Sequence, residues 1–218
     1  MKHHDHEHDH EHDEHANPGD HPGADPEVAL LEQAVRELLI EKGIIEPEAL
    51  QAGIEAMEGR SAQKGAEIVA RAWLEPAFKA ALLADGAGTM RKLGVDLKGP
   101  ELHVVENTPK VHNMVVCTLC SCYPRYLLGI PPLWYKSFEY RSRAVREPRA
   151  VLAEFGMTLD ESVELRVHDS TADLRYLVLP MRPEGTEGMS QDELAALVSR
   201  DALIGVAPAR RPGPSVNV

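Results

Sequence analysis

The sequence predicts an α+β fold, with a helical N-terminal arm followed by a domain that mixes short strands with helices. Three observations carry this reading. Apolar residues recur at helical spacing from Val28 to about residue 90. From residue 101 onward the apolar runs become short and strand-like, separated by turn residues. All three cysteines then fall in one stretch directly after the second strand, "VVCTLCSCYP" (115–124).

Residues 1–24 form the first expected segment. "MKHHDHEHDHEHDEH" places seven histidines (His3, His4, His6, His8, His10, His12 and His15) among acids, with no apolar residue after Met1. Such a segment has nothing to bury and is expected to be disordered, with a loose affinity for divalent metal. The first 20 residues hold seven acids against Lys2 alone, half of the chain's net charge of −12. "ANPGDHPGADP" (16–26) reads as a Pro/Gly linker.

The helical arm is expected over 25–95. Asp25 can cap the first helix with Pro26 at its first position, where no amide donor is wanted. Val28, Leu31, Val35, Leu38 and Leu39 supply its apolar stripe, and Gly43 closes it. A second helix is expected from Pro47 to Gly59. "SAQKGAEIVARAWLEPAFKAALLADG" reads as two helices beginning at a Ser61 cap and divided at Pro76, which removes an interior hydrogen bond.

Residues 96–218 form the expected α+β domain. "ELHVVE" (101–106) and "NMVVC" (113–117) read as strands separated by "NTPK". "PRAVLAEFG" (148–156) reads as a short helix. "VELRVHD" (163–169) and "LRYLVLP" (174–180), joined by "STAD", read as a strand hairpin. "SQDELAALVS" (190–199) carries a capping box, Ser190 with Glu193, and reads as a helix.

Composition excludes several function classes. The 218 residues are 43% hydrophobic, and no run approaches the roughly 20 apolar residues of a membrane span. Net acidity, with nothing basic concentrated enough to track phosphates, argues against nucleic acid. The N-terminus lacks an apolar signal core, so the cytoplasm is the expected compartment, where thiols stay reduced.

Three chemistries compete for the C-x-x-C-x-C cluster of Cys117, Cys120 and Cys122. A disulfide is disfavoured, because the spacing is short and a third thiol is left over. Structural zinc needs a fourth ligand, such as His112 or His103. The third chemistry follows from crowding. With Cys120 and Cys122 flanking Ser121, the chain must wrap so tightly that backbone nitrogens approach the same ion. Deprotonated amides of Ser121 and Cys122 would lie in one plane with the sulfurs of Cys120 and Cys122, with Cys117 on the axis and one position open. Anionic nitrogen and thiolate donors favour a trivalent metal. The spacing admits both metal readings.

"VCTLCSCYP" resembles the metal motif of nitrile hydratase alpha subunits. So do "LLIEKG", "ARAWLEPAFKAALLADG", "VVENTPKVHN", "WYKSFEYRSRAVREPRAVLAEFG" and "LRYLVLPMRPEGTEG", in the same order along nearly the whole chain after the tail. The resemblance implies a layered α-β-β-α metal-binding domain and a hydro-lyase that turns nitriles into amides. It implies Cys117, Cys120, Ser121 and Cys122 as metal ligands, with Cys120 oxidised to sulfinate and Cys122 to sulfenate. Cys122 and Ser121 are the implied catalytic residues. Thr118 and Tyr123 resemble the cobalt class rather than the iron class, so cobalt(III) is expected before iron(III). A beta-type subunit in a heterodimer or heterotetramer, a small nitrile substrate and an activator or metallochaperone are the implied partners.

Arg125 departs from this pattern: cobalt nitrile hydratases commonly have Trp there, and the metal-binding subunit of thiocyanate hydrolase is similar to this chain at that position. A non-catalytic metal-delivery protein is the reading from a different class. Tyr123, Trp134 and Tyr135 have two placements open, core packing or the site and subunit interface. Arg141, Arg143, Arg146 and Arg149 face either a partner or solvent. His112 is expected to be structural.

Overall fold

The computed structural model describes residues 26–50, 61–95, 97 and 99–212. The expected tail and linker lie outside the described residues, as does the expected second helix beyond its opening turn at 47–50. The chain divides into two compact units, Met1–Pro47 and Glu48–Val218. In the first, α1 (Pro26–Glu41) ends as the sequence predicts. Gly43 takes φ 62°, its N–H bonds Ile40 O at 2.9 Å, and the N–H of Ile44 bonds Leu39 O at 3.0 Å. This pairing satisfies two carbonyls that the helix end leaves open, and the positive φ suits glycine.

The second unit begins with α2 (Gln63–Leu74), α3 (Pro76–Ala84) and α4 (Gly86–Lys92). Pro76 starts a new helix at its first position, where its missing N–H costs nothing. Asp85 caps α4, its Oδ1 accepting from Gly88 N at 2.7 Å. After the strands β1 (Glu101–Glu106) and β2 (Val111–Val116) come four short helices: α5 (Arg125–Leu128), α6 (Leu133–Lys136), α7 (Phe138–Arg146) and α8 (Pro148–Glu154). The strands β3 (Glu164–Asp169) and β4 (Leu174–Leu179) follow, then α9 (Gln191–Ala196) with the predicted capping box, and α10 (Arg200–Ile204).

The expected hairpin of β3 with β4 is corrected. The two strands lie in different two-stranded sheets, each parallel to an earlier strand. β4 pairs with β1, from Glu101↔Leu174 to Glu106↔Leu179, and β3 pairs with β2, from Val111↔Glu164 to Val116↔Asp169. The physical reason is two-sided burial. Met114, Val115 and Val116 are all buried, as are Leu177, Val178 and Leu179, although successive side chains point to opposite faces. Continuous apolar runs of this kind suit parallel strands covered on both sides.

Helices α3 and α4 pack on β1, β1 and β4 meet β2, and α7 and α8 pack on β2 and β3. The layers therefore run helix, sheet, sheet, helix. Helix α10 touches both β2 and β4 and buries Leu203 and Ile204. Each fully buried leucine or methionine here contributes roughly 1.5–3 kcal/mol relative to exposure.

A buried polar network joins the sheets behind the cysteines. Asn113 donates through Nδ2 to Glu106 O (2.8 Å) and Asn107 Oδ1 (3.0 Å), and its backbone N–H also reaches Asn107 Oδ1 (2.8 Å). His112 Nε2 lies 2.7 Å from Gly205 O, and its Nδ1 lies 3.3 Å from Asn107 Nδ2. A carbonyl only accepts and an amide nitrogen only donates, so His112 is neutral with its proton on Nε2. His168 Nε2 donates to Asn113 Oδ1 at 2.8 Å.

Two predictions follow from this packing. Gly205 has φ 88°, and a Cβ there would sit 2.0 Å from Asn113 O. Gly205→Ala is therefore expected to cost roughly 3 kcal/mol in urea denaturation. Burial, the largest influence on each, holds both His112 and His168 below the ordinary value of 6.5. The folded state then binds fewer protons than the unfolded state, so this stability is present above pH 6.5 and is lost as pH falls through the lowered folded values. The urea midpoint is expected to be flat above pH 7 and to fall below about 6.5, less steeply in His112→Gln.

Candidate metal centre

Strand β2 leads directly into Cys117, which is fully buried, while Cys122 is half-buried and Cys120 exposed. The parallel register sets Val116 beside Asp169, so the Asp169 carboxylate stands at the start of the cysteine loop. It accepts from Thr118 N at 2.9 Å and from Thr118 Oγ1 at 2.5 Å. From the other side, Arg141 Nη1 on α7 donates to Leu119 O at 3.1 Å and Thr118 O at 3.4 Å. The N–H of Cys120 turns inward to Cys117 Sγ at 3.3 Å.

Aromatic side chains hold the flanks. Tyr140 donates to Val115 O at 2.7 Å, and Tyr135 donates to Cys122 O at 2.9 Å. Tyr135 packs edge-on against Tyr123 with ring centres 5.2 Å apart, and Trp134 meets Tyr140 at 4.8 Å and Phe155 at 4.7 Å. Tyr135 and Trp134 thus belong to an aromatic cluster beneath the loop. Tyr123 both packs in this cluster and lines the cavity beside the cysteines.

The three sulfurs lie within 4.8 Å of one another, Cys117 to Cys120 at 3.6 Å and Cys120 to Cys122 at 3.4 Å. Two thiolates about 2.3 Å from one ion lie ~3.3 Å apart at a right angle and ~3.8 Å apart at the tetrahedral angle. The closer pair sits at the right-angle end of that range. Ser121 lies between the two closer sulfurs, so its amide and that of Cys122 belong to the same short turn of chain. Among the described residues no histidine or carboxylate joins the cluster. His112 is committed to Gly205 and Asn107, and His103 packs edge-on against Tyr176. The donor set therefore fits the sulfur-and-amide arrangement better than zinc with a histidine.

Electrostatics separate the two outer thiols. Hydrogen bonds from Cys122, then from the Ser121 backbone, hold Cys120 below the usual thiol range. Burial, followed by the Cys120 neighbour, pushes Cys122 up to about 12, while the Arg175 guanidinium opposes this. Of the two, Cys120 is therefore the thiol that gives up its proton more readily.

Cys120, Ser121 and Cys122 open onto a cavity of about 340 Å³ that Tyr123, Arg125 and Arg175 also line. Arg175 and Asp169 lie outside the site residues the sequence singled out. Their signal is faint: Asp169 ends the "VELRVHD" strand, and only the parallel register brings it to the loop. The four expected basic residues go to separate tasks. Arg141 holds the cysteine loop, Arg143 pairs with Glu147 at 2.7 Å and Glu154 at 2.5 Å, Arg146 caps Ser142 O, and Arg149 donates to Val163 O.

The family model described as nitrile hydratase, alpha chain, matches residues 26–207. The low-molecular weight cobalt-containing nitrile hydratase subunit alpha of Rhodococcus rhodochrous is 52% identical over 186 residues, covering 84% of this chain and 90% of that protein. Thiocyanate hydrolase subunit gamma of Thiobacillus thioparus is 44% identical over 200 residues, covering 86% and 82% respectively. A double mutant of the Fe-type nitrile hydratase from Comamonas testosteroni Ni1 superposes with a TM-score of 0.83 at 41% identity, over 89% of this chain and 98% of that one. With the shared helix–sheet–sheet–helix architecture and the converging cysteines, these matches establish that the chain belongs to the nitrile hydratase alpha-chain family.

Proposed function

We propose that this chain is the metal-binding alpha subunit of a nitrile hydratase, a hydro-lyase that adds water to a nitrile to give an amide. The observation that carries the reading is the convergence of three thiols within 4.8 Å of one another beside an open cavity. Cys117, Cys120 and Cys122 with the amides of Ser121 and Cys122 would hold cobalt(III), favoured over iron(III) by Thr118 and Tyr123 and by the cobalt-containing relative. The ion supplies Lewis-acid polarisation of the substrate and favours ionised sulfur and amide ligands.

The chain's own residues divide the remaining work. Cys117, buried beneath the loop, anchors the site from the core side. Cys122, as a sulfenate, would present an oxygen to the cavity that either attacks the substrate carbon or takes a proton from the water that attacks it, with Cys120 a sulfinate beside it. Ser121 contributes its amide and lines the cavity beside the cysteines. Tyr135 fixes the carbonyl of Cys122, so the peptide carrying the reactive sulfur is held in one orientation. Arg175 favours negative charge on Cys122. A beta-type subunit in a heterodimer or heterotetramer would close the cavity, with an activator or metallochaperone loading the metal in the cytoplasm.

One observation favours a second reading. Arg125 and Arg175 both line the cavity, against Glu101 alone, and a cationic wall suits the thiocyanate anion. Thiocyanate hydrolysis by a subunit like that of Thiobacillus thioparus is the alternative.

Co-expression with a beta-type subunit tests these readings. One cobalt per chain is expected, with two oxygens on Cys120, one on Cys122, and amide release from a small nitrile exceeding carbonyl sulfide release from thiocyanate. The reverse ratio selects the second reading. Zinc with three unmodified thiols rejects both. A cobalt-loaded complex inactive on either compound favours metal delivery. Measured per cobalt bound, Cys122→Ala is expected to lower turnover roughly 100-fold or more; full turnover would remove Cys122 from the chemistry.

A further inference from the structure

The loop between the first two sulfurs has no packing of its own. Thr118, Leu119 and Cys120 are exposed, and the Leu119 side chain is 87% accessible. Apolar burial therefore does not set its conformation, and hydrogen bonds to its backbone must. Three consecutive peptide groups are held. The amide of Thr118 is bound by Asp169, and the carbonyls of Thr118 and Leu119 are both bound by Arg141.

From these contacts we infer that Arg141 is a positioning residue for the metal centre, acting through the Leu119–Cys120 peptide on the sulfur of Cys117. This deepens the nitrile hydratase reading and rests on it. The geometry forms a relay. The guanidinium meets Leu119 O at 3.1 Å, and the N–H of the same peptide donates to Cys117 Sγ at 3.3 Å. A cation on the carbonyl increases the peptide's polarisation, which makes its N–H a stronger donor. That donor withdraws charge from the buried sulfur and fixes the peptide plane that sets the 3.6 Å spacing of Cys117 and Cys120.

The guanidinium is itself pre-set. Its Nε donates to Ser137 O at 3.3 Å, one turn back on the same helix. Ser137 caps that helix through Tyr140 N at 3.1 Å, and Tyr140 pins the helix to β2 at Val115 O. Arg141 thus reaches the loop from an element that is registered to the strand leading into Cys117. A lysine could reach one carbonyl as a point donor but could not hold the fork while bonding its own helix.

The test compares Arg141→Met and Arg141→Lys with the wild type as cobalt-loaded complexes. Arg141→Met is expected to release cobalt to a chelator roughly tenfold faster, the scale for losing a ligand's supporting partner. Its sulfur-to-cobalt charge-transfer band is expected at longer wavelength, since Cys117 keeps more charge. Arg141→Lys should fall between. Unchanged band and release rate in Arg141→Met would overturn the inference while leaving the metal-centre reading intact. A wild-type complex that takes up no cobalt would instead defeat that reading and the inference with it. If Arg141→Met does not assemble, Arg141→Lys decides alone: several-fold faster release supports the relay, and a wild-type rate with an unshifted band overturns it.

Discussion

The parallel ladder of β2 with β3 is the constraint on which the site depends. Its register sets Val116 against Asp169, so one strand delivers Cys117 and its neighbour delivers the carboxylate that grips Thr118. A slip of one residue would turn the Asp169 side chain to the opposite face of the sheet. The network of Asn107, His112, Asn113 and His168 opposes such a slip, because its buried donors and acceptors match in one register only. The same network reaches Gly205, whose backbone approaches β2 too closely for any side chain.

Around the loop, the fold uses two kinds of force. Beneath it, Tyr123, Trp134, Tyr135, Tyr140 and Phe155 form an aromatic bed that buries area and sends three hydroxyls to backbone carbonyls. Above it, where the chain meets solvent, charged side chains do the holding. Hydrogen bonds with an ionised partner are stronger than neutral ones and tolerate exposure better than apolar contacts could. The loop thus rests on a rigid floor while its outer peptides are held by Asp169 and Arg141.

Much of this was legible in the sequence, for reasons that differ by element. Gly43, Pro76 and the Ser190–Glu193 box act through local backbone chemistry, so their positions predict helix ends directly. The cysteine spacing is local too: three thiols within six residues can be gathered by one short loop, and their sulfurs lie within 4.8 Å of one another. The pairing of β3 and β4 was not legible. "VELRVHD" alternates like a half-exposed strand, and a four-residue connection looks like a hairpin, yet the partners of both strands lie more than fifty residues earlier. Arg141 and Asp169 were hidden for the same reason. Nothing local marks a charged residue as the holder of a distant loop; only long-range packing does.

The graded burial of the three sulfurs has a chemical consequence of its own. An oxidant arriving from solvent meets Cys120 first and Cys122 next, while Cys117 sits beyond reach beneath the loop. Because each step of thiol oxidation needs access to the sulfur lone pairs, shielding adds to the electrostatic differences in sorting the three residues. Depth below the surface serves as a protecting group: it shields the innermost sulfur and leaves the outer two accessible.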